Sequence, residues 1–328
     1  MAHQVASHVF GFAFLWIITF PAAAQTQDPY PSRPIRLIVA FPAGASTNDI
    51  LGRAIAQRLS TELGRSVIVD NRPGAGGVLG TGIVAKAAPD GYTLLLATNA
   101  PIAVSPHVLK TMPYDPLKDL AAVAMFAVVP YVLVVHPSVP ATNVKELIAY
   151  AQAHPGRLRF ASAGIATTPQ LCGELFKMMA GVDIVHVPYK GGAPANTATV
   201  SGETAIYCAG LGTQLPQIRA GRLRAIALTT LQRSAIMPEL PTAHEQGLTG
   251  FDVVNWNGIM GPAELPRSVI QRLHAAMSRI AESQEWKSYL HNQGIEPVLM
   301  GSAEFSEHIR NESAKWGRVV KAAGITGE

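Results

Sequence analysis

The sequence has no block of like charge, no His-Glu-x-x-His pair, no Walker sequence and no Gly-x-Ser-x-Gly elbow. Each absence removes a class of function. Ten histidines form no i,i+4 pair and have no companion cysteine cluster, so no metal is expected. The carboxylates are scattered without an acid/base dyad, and no nucleophile is set beside a base. The chain is therefore read as a non-enzyme without a cofactor. A net charge of +4 spread along the chain could help collect anions, but with no motif of that class nucleic acid is not an expected partner. Charged residues at 15% against 48% hydrophobic ones exclude a disordered chain.

Cysteine is scarce. Cys172 and Cys208 match no metal or redox spacing. In an oxidising compartment they could pair, but a chain of 328 residues needs no staple, and they are read as two small buried hydrophobes. Long apolar runs are lacking too. The one candidate, Phe10 to Phe20, is short for a bilayer and precedes Pro21-Ala-Ala-Ala-Gln25, where Ala22-x-Ala24 suits a signal peptidase. Met1 to Val9 carries no Lys or Arg, which keeps an uncleaved anchor as the alternative. Residues 1–24 are read as a signal peptide cleaved after Ala24, with the mature protein in the periplasm.

What is present is alternation. Ile35 to Ala40, Ser66 to Asp70 and Tyr92 to Thr98 read as strands separated by helical spacing, the pattern of an α/β fold with a parallel-rich sheet flanked by helices. Tyr131 to Val135, Leu158 to Ala161, Val182 to Val187, Thr204 to Ala209 and Arg224 to Thr229 continue it. Amphipathic helices fill the C-terminal part from Ser268 to Ala323. Two α/β domains are expected: residues 28–126 plus 254–328, and residues 127–253. Two crossings between them make a hinge, with the ligand cleft between the domains.

Two junctions look like one device used twice. Ile35 to Ala40 runs into Phe41-Pro-Ala-Gly-Ala-Ser-Thr-Asn-Asp49, and Leu158 to Phe160 into Ala161-Ser-Ala-Gly-Ile-Ala-Thr-Thr168. Each is a strand end, a loop of small and hydroxyl residues, and a helix start. Free backbone N–H groups and the positive end of a helix dipole meet there, which suits an anion. Ser46, Thr47, Ser162, Thr167 and Thr168 also read as ordinary helix caps; the equivalent placement of the two loops favours binding. Asp49 suits either the helix dipole or a ligand ammonium. Tyr189-Lys-Gly-Gly192 borders the same cleft or forms a plain turn. Trp256 is either an aromatic wall at the return crossing or a core residue. Gly74 to Gly80 has a dinucleotide-like spacing whose last glycine falls one position late, and it is read as a tight turn.

Eight segments in order resemble one family. They are Tyr30-Pro-Ser-Arg-Pro-Ile35, Asp70-Asn-Arg-Pro-Gly-Ala-Gly-Gly77, Pro89-Asp-Gly-Tyr-Thr-Leu-Leu95, Pro113-Tyr-Asp115, Phe160-Ala-Ser-Ala-Gly164, His186-Val-Pro-Tyr-Lys-Gly-Gly192, Leu240-Pro-Thr242 and Asn255-Trp-Asn-Gly258. Together they look like the periplasmic solute-binding proteins of tripartite tricarboxylate transporters, the Bug family. The resemblance implies a two-domain Venus flytrap of the type II kind that captures a small carboxylate and delivers it to membrane permease subunits, acting as a monomer. It also implies a ligand held largely by backbone amides of two loops. Here those residues are Ala43, Gly44, Ala45, Ser46, Thr47 and Asp49, facing Ser162, Ala163, Gly164, Ala166 and Thr167, with Thr98, Asn99, Tyr189 and Trp256 at the borders. The first loop departs from the family in having Gly44-Ala45 for two glycines and in Asn48 before Asp49. Strand Ala205 to Gly210 lacks the family's acidic residues. Two rival functions use the same cleft: a receptor feeding a two-component sensor kinase, and a secreted enzyme acting on carboxylates.

Overall fold

The structure is a computed structural model and describes Met1, residues 30–44 and residues 47–327. The proposed signal segment and the loop residues Ala45 and Ser46 lie outside the described residues. The chain begins β1 (Ile35–Val39), α1 (Thr47–Leu63), β2 (Val67–Asn71), a 3₁₀ turn (Ala75–Gly77), α2 (Val78–Ala85) and β3 (Thr93–Thr98). A π turn (Ala100–Val104) leads to α3 (Ser105–Val108), β4 (Leu120–Val135), α4 (Val144–Ala153), β5 (Arg159–Ser162), α5 (Thr168–Ala180) and β6 (Val185–Pro188). Then come α6 (Gly192–Val200), β7 (Ile206–Gly210), α7 (Leu211–Arg219), β8 (Arg224–Leu228) and β9 (Val254–Pro262). The chain ends α8 (Arg267–Glu282), α9 (Gln284–Asn292), β10 (Glu296–Met300) and α10 (Ser302–Ala323).

The parallel ladders are β2–β1–β3 in one lobe and β6–β5–β7 in the other. Strands β1 and β3 are buried almost throughout, which is why they read as continuous apolar runs. Every antiparallel pair includes β4 or β9. Strand β4 pairs with β9 from Leu120 to Pro130, then with β7 and β8 from Tyr131 to Val135. One strand thus belongs to both sheets, and its partners change at Pro130/Tyr131, beyond the Phe126 boundary read from the sequence. Sequence reading finds only the Tyr131–Val135 half, because an alanine-rich run and Pro130 resemble a break. Pro130 is tolerated opposite Val254, at the end of the β4–β9 ladder.

Helix α1 buries Leu51, Ala54, Ile55, Leu59 and Leu63 on its sheet-facing stripe, and α8 buries Val269, Leu273, Ala276, Met277 and Ile280. The last helix, which the sequence reading assigns with residues 254–328 to the first domain, packs on the cores of both lobes. Its Phe305 and Ile309 pack in one core with Trp256, while Trp316, Val319 and Val320 join Leu171 and Phe176 of the other lobe. A 22-residue helix is long enough to reach both cores.

Cys172 and Cys208 are not unlinked hydrophobes as expected. They form a disulfide, with Cα atoms 6.3 Å apart, that ties α5 to β7 across 36 residues. Sequence spacing carried no sign of it. The pair meets because Cys172 lies on the buried face of α5 and Cys208 on β7, within one core. Closing a loop of that length constrains the unfolded chain by about 4 kcal/mol in the chain-entropy relation. A Cys172→Ala/Cys208→Ala protein should therefore unfold at clearly lower urea than the oxidised wild type, by several kcal/mol of extrapolated stability. Equal midpoints would show that the bond adds nothing.

A cleft ringed by helix starts

Between the strand carboxyl ends of the two lobes lies a cleft of about 790 Å³, within the range of small-molecule sites. Five helices have their first residue or cap in its lining: α1 with Thr47, the short α3 with Ser105, α5 with Thr168, α6 with Gly192, and α7 with its cap Gly210. The two shorter turns add Ala75, Gly76 and Ala100. Among the described residues lining the cleft there is no Lys, Arg, His, Asp or Glu. Polar atoms come from Thr, Asn, Ser and Tyr side chains and from backbone.

The first loop is closed by Asp49. Its buried carboxylate accepts from the Gly44 amide (2.7 Å), Asn71 Nδ2 (2.8 Å) and Arg53 Nε (3.0 Å). Burial pushes this carboxyl up, but the hydrogen bonds from Arg53, Gly44 and Asn71 outweigh it and hold the group below the ordinary range. Asp49 thus secures the loop and does not line the cleft. Thr47 and Asn48 do. Asn257 Nδ2 donates to Asn48 Oδ1 at 2.9 Å, so the residue that sets this loop apart from the family pattern is held from β9. Ala43 and Gly44 are exposed beside the cleft and outside its lining.

The second loop is built on hydrogen bonds behind its surface. Ser162 Oγ accepts from the Gly164 amide (3.1 Å), and Thr167 Oγ1 donates to the Gly164 carbonyl (2.6 Å). Gly164 sits at φ +125°, a region that favours glycine, and a Cβ there would also meet the Tyr189 carbonyl at 3.4 Å. Ala166, at φ +61°, donates its amide to Gln170 Oε1 at 2.6 Å. That bond orients the Gln170 carboxamide so that its Nε2 faces His186 Nδ1 (3.4 Å), leaving His186 Nε2–H to donate to Ser162 Oγ at 2.6 Å. Ala163, Ala166, Thr167 and Thr168 line the cleft; Ser162 is fully buried behind it.

Thr98 and Asn99 also reach the cleft from β3. Asn99 is buried and its Nδ2 donates to Thr168 Oγ1 (3.4 Å) and to the Val254 carbonyl (3.3 Å), strapping the first lobe to the start of α5 and to β9. Tyr189 turns its hydroxyl outward to Glu203 (2.8 Å) and stays out of the lining. Trp256 is completely buried against Phe305, their rings 5.3 Å apart edge to face; Asn255 is the residue of that strand at the cleft. Sequence reasoning missed Tyr131, Tyr207 and Thr213. Burial pushes the Tyr131 hydroxyl up to about 12, with the Thr168 side chain pulling the other way, and burial also raises Tyr207. Both are neutral hydroxyls at neutral pH. Thr213 and Gly210 were legible, since Ala205 to Gly210 running into Leu211 is a third strand-to-helix junction. The tyrosines carried no local signal.

The family model of the tripartite tricarboxylate transporter family receptor matches residues 51–325. The chain belongs to this family. BugT of Bordetella pertussis is 37% identical over 304 residues, 92% of this chain and 93% of BugT. The structure of R. palustris Rpa4515 with adipate is 35% identical with a TM-score of 0.77, covering 90% of this chain and 99% of that one. MatC (Rpa3494) from Rhodopseudomonas palustris with bound malate is 28% identical with a TM-score of 0.72, covering 89% and 100%. The likeness makes the fold that of periplasmic solute-binding proteins. Among the described residues of this family receptor, no helix is long and apolar enough to cross a membrane, and no group of three His, Cys, Asp or Glu side chains is placed to hold a metal.

Burial, with Lys177 nearby, lowers the His186 imidazole below its ordinary 6.5. The folded form therefore resists a proton that the unfolded chain accepts. Its contribution to stability is complete above pH 6.5 and is lost as pH falls toward the folded value. His186→Gln should flatten the decline of the urea midpoint between about pH 6.5 and 5 relative to wild type. An unchanged slope would show that His186 is already charged or freely exposed.

Proposed function

We propose that this protein is a periplasmic receptor that captures a small carboxylate in the cleft and delivers it to the permease subunits of a tripartite tricarboxylate-type transporter. The observation that carries this reading is the ring of helix N-termini around a cleft with no charged lining side chain. Each helix start favours an anion by about 1 kcal/mol when partly buried, through the dipole and the first-turn amides, to which Pro169 of α5 and Pro194 of α6 add none. A single anion reached by two or more of them needs no arginine. Adipate and malate in the two related structures are ligands of this chemical kind.

Capture follows from two lobes closing. The proposed bodies are residues 30–129 with 254–327, and residues 131–253, joined where β4 changes partners and where β9 begins at Val254. Closure would exclude water and strengthen the electrostatic contacts. The Asn99 contact with Thr168 crosses that boundary and favours the closed arrangement. The closed form then docks on the permease, and residues 1–24 direct export, with cleavage after Ala24.

The reading as a binder without catalysis is supported by the Ser162–His186 contact, which lies behind the cleft lining. Gln170 Nε2 occupies His186 Nδ1, so the imidazole donates to Ser162 and cannot take its proton. Ser162 is also fully buried. A nucleophile needs the reverse of both.

The test is a thermal-shift screen of the mature protein against dicarboxylates, tricarboxylates, monocarboxylates and neutral sugars. A bound acid at a hundredfold excess over its Kd should add about 2.7 kcal/mol and raise Tm by several degrees. A shift with a sugar and none with any acid would refute the reading.

A further inference from the structure

The hydrogen bonds behind the second loop have only one consistent assignment of donors. A backbone N–H can only donate, so the 2.6 Å contact with the Ala166 amide fixes the oxygen of the Gln170 carboxamide. Its nitrogen then faces His186 Nδ1 at 3.4 Å, which makes that ring atom an acceptor. Ser162 gives its one hydroxyl proton to the Gly164 carbonyl at 3.1 Å, so His186 Nε2 carries the hydrogen between the two side chains. The imidazole is neutral in this arrangement.

A protonated imidazole would break it. Both ring nitrogens then donate, and Nδ1–H competes with the Ala166 amide for the single oxygen of Gln170. Turning the carboxamide over satisfies the ring and leaves the Ala166 amide without an acceptor. Gln170 is 5% exposed, so water is poorly placed to repair the loss. Ala166 stands at φ +61°, a left-handed backbone that an alanine holds only when its surroundings impose it, and it lines the cleft. The charged groups around His186 supply no second acceptor. On α5, Lys177 faces the ring and is paired with Glu174 at 3.4 Å. On β5, Phe160 stacks on the ring at 4.9 Å, while Arg159, opposite Val185, lies on the other face.

We infer that Gln170 and His186 are positioning residues of the second loop, which keeps its cleft-lining form at Ala166 only while His186 is neutral. Resting on the cleft reading above, this makes capture weaken as pH falls through the His186 midpoint. Proton and carboxylate then oppose each other, because each selects a different state of the loop.

The experiment is NMR-detected hydrogen exchange at the Ala166 amide of the mature protein, from about pH 7.5 to about pH 4.5, with the His186 ring titrated in the same samples. Rates are divided by the intrinsic rate at each pH. Wild-type protection should fall about tenfold across the His186 midpoint. Gln170→Glu supplies a second acceptor oxygen, so it should keep its protection and raise the His186 midpoint above that of wild type. His186→Gln has no proton to gain, and its protection should not depend on pH. Unchanged wild-type protection through the midpoint, the same loss in both variants, or a His186 that stays neutral until the fold melts would overturn the inference. Adipate titrated calorimetrically into wild type and His186→Gln reads the effect on capture, since ionisation of the acid is common to both. Its Kd should rise about twofold more in wild type over the same interval. An equal rise, with the exchange result as expected, would separate the loop from binding and count against the cleft reading alone.

Discussion

A parallel strand followed by a helix delivers that helix's N-terminus to the carboxyl edge of the sheet, and this one constraint arranges the whole site. In each lobe three parallel strands end at the cleft, so α1, α5, α6 and α7 all begin there. The cleft gains a positive field from backbone alone. The neutral polar side chains that line the cleft include Asn48, Asn99, Tyr131 and Thr168, and in the proposed receptor selectivity among anions falls to them and to shape. Charged side chains at the site serve the loops: Asp49 binds Gly44, Asn71 and Arg53 to hold the first jaw in place.

The antiparallel strands have the other task. Strand β4 lies in both sheets, and β9 returns beside it, so the lobes are joined by continuous, buried backbone. Helix α10 lays one half on each core. The change of partners of β4 falls at Pro130 and Tyr131, beside the start of β9 at Val254, and the disulfide ties α5 to β7.

Much of this was legible in the sequence. Continuous apolar runs such as Ile35 to Ala40 and the small-residue loops after them mark the parallel units and both jaws, because buried strands and helix starts leave local signatures. What depends on distant pairing was not legible. The first half of β4 looked like a proline-broken segment until β9 was beside it. Trp256 read equally as wall or core, and its burial is decided by Phe305 on α10. The disulfide depends on one helix face meeting one strand. Tyr131 and Tyr207 reach the cleft from the paired strands β4 and β7, Tyr131 opposite Gly210 and Tyr207 opposite Val134.

The central claim is that backbone dipoles and neutral donors suffice to recognise a negative charge here. The most direct measurement compares the Kd of the tightest-binding carboxylic acid with that of its primary amide at neutral pH and low salt. The amide is nearly isosteric and keeps one carbonyl acceptor. The account predicts that it binds at least tenfold more weakly, a difference of about 1.4 kcal/mol carried by charge. Equal affinity of acid and amide would contradict it.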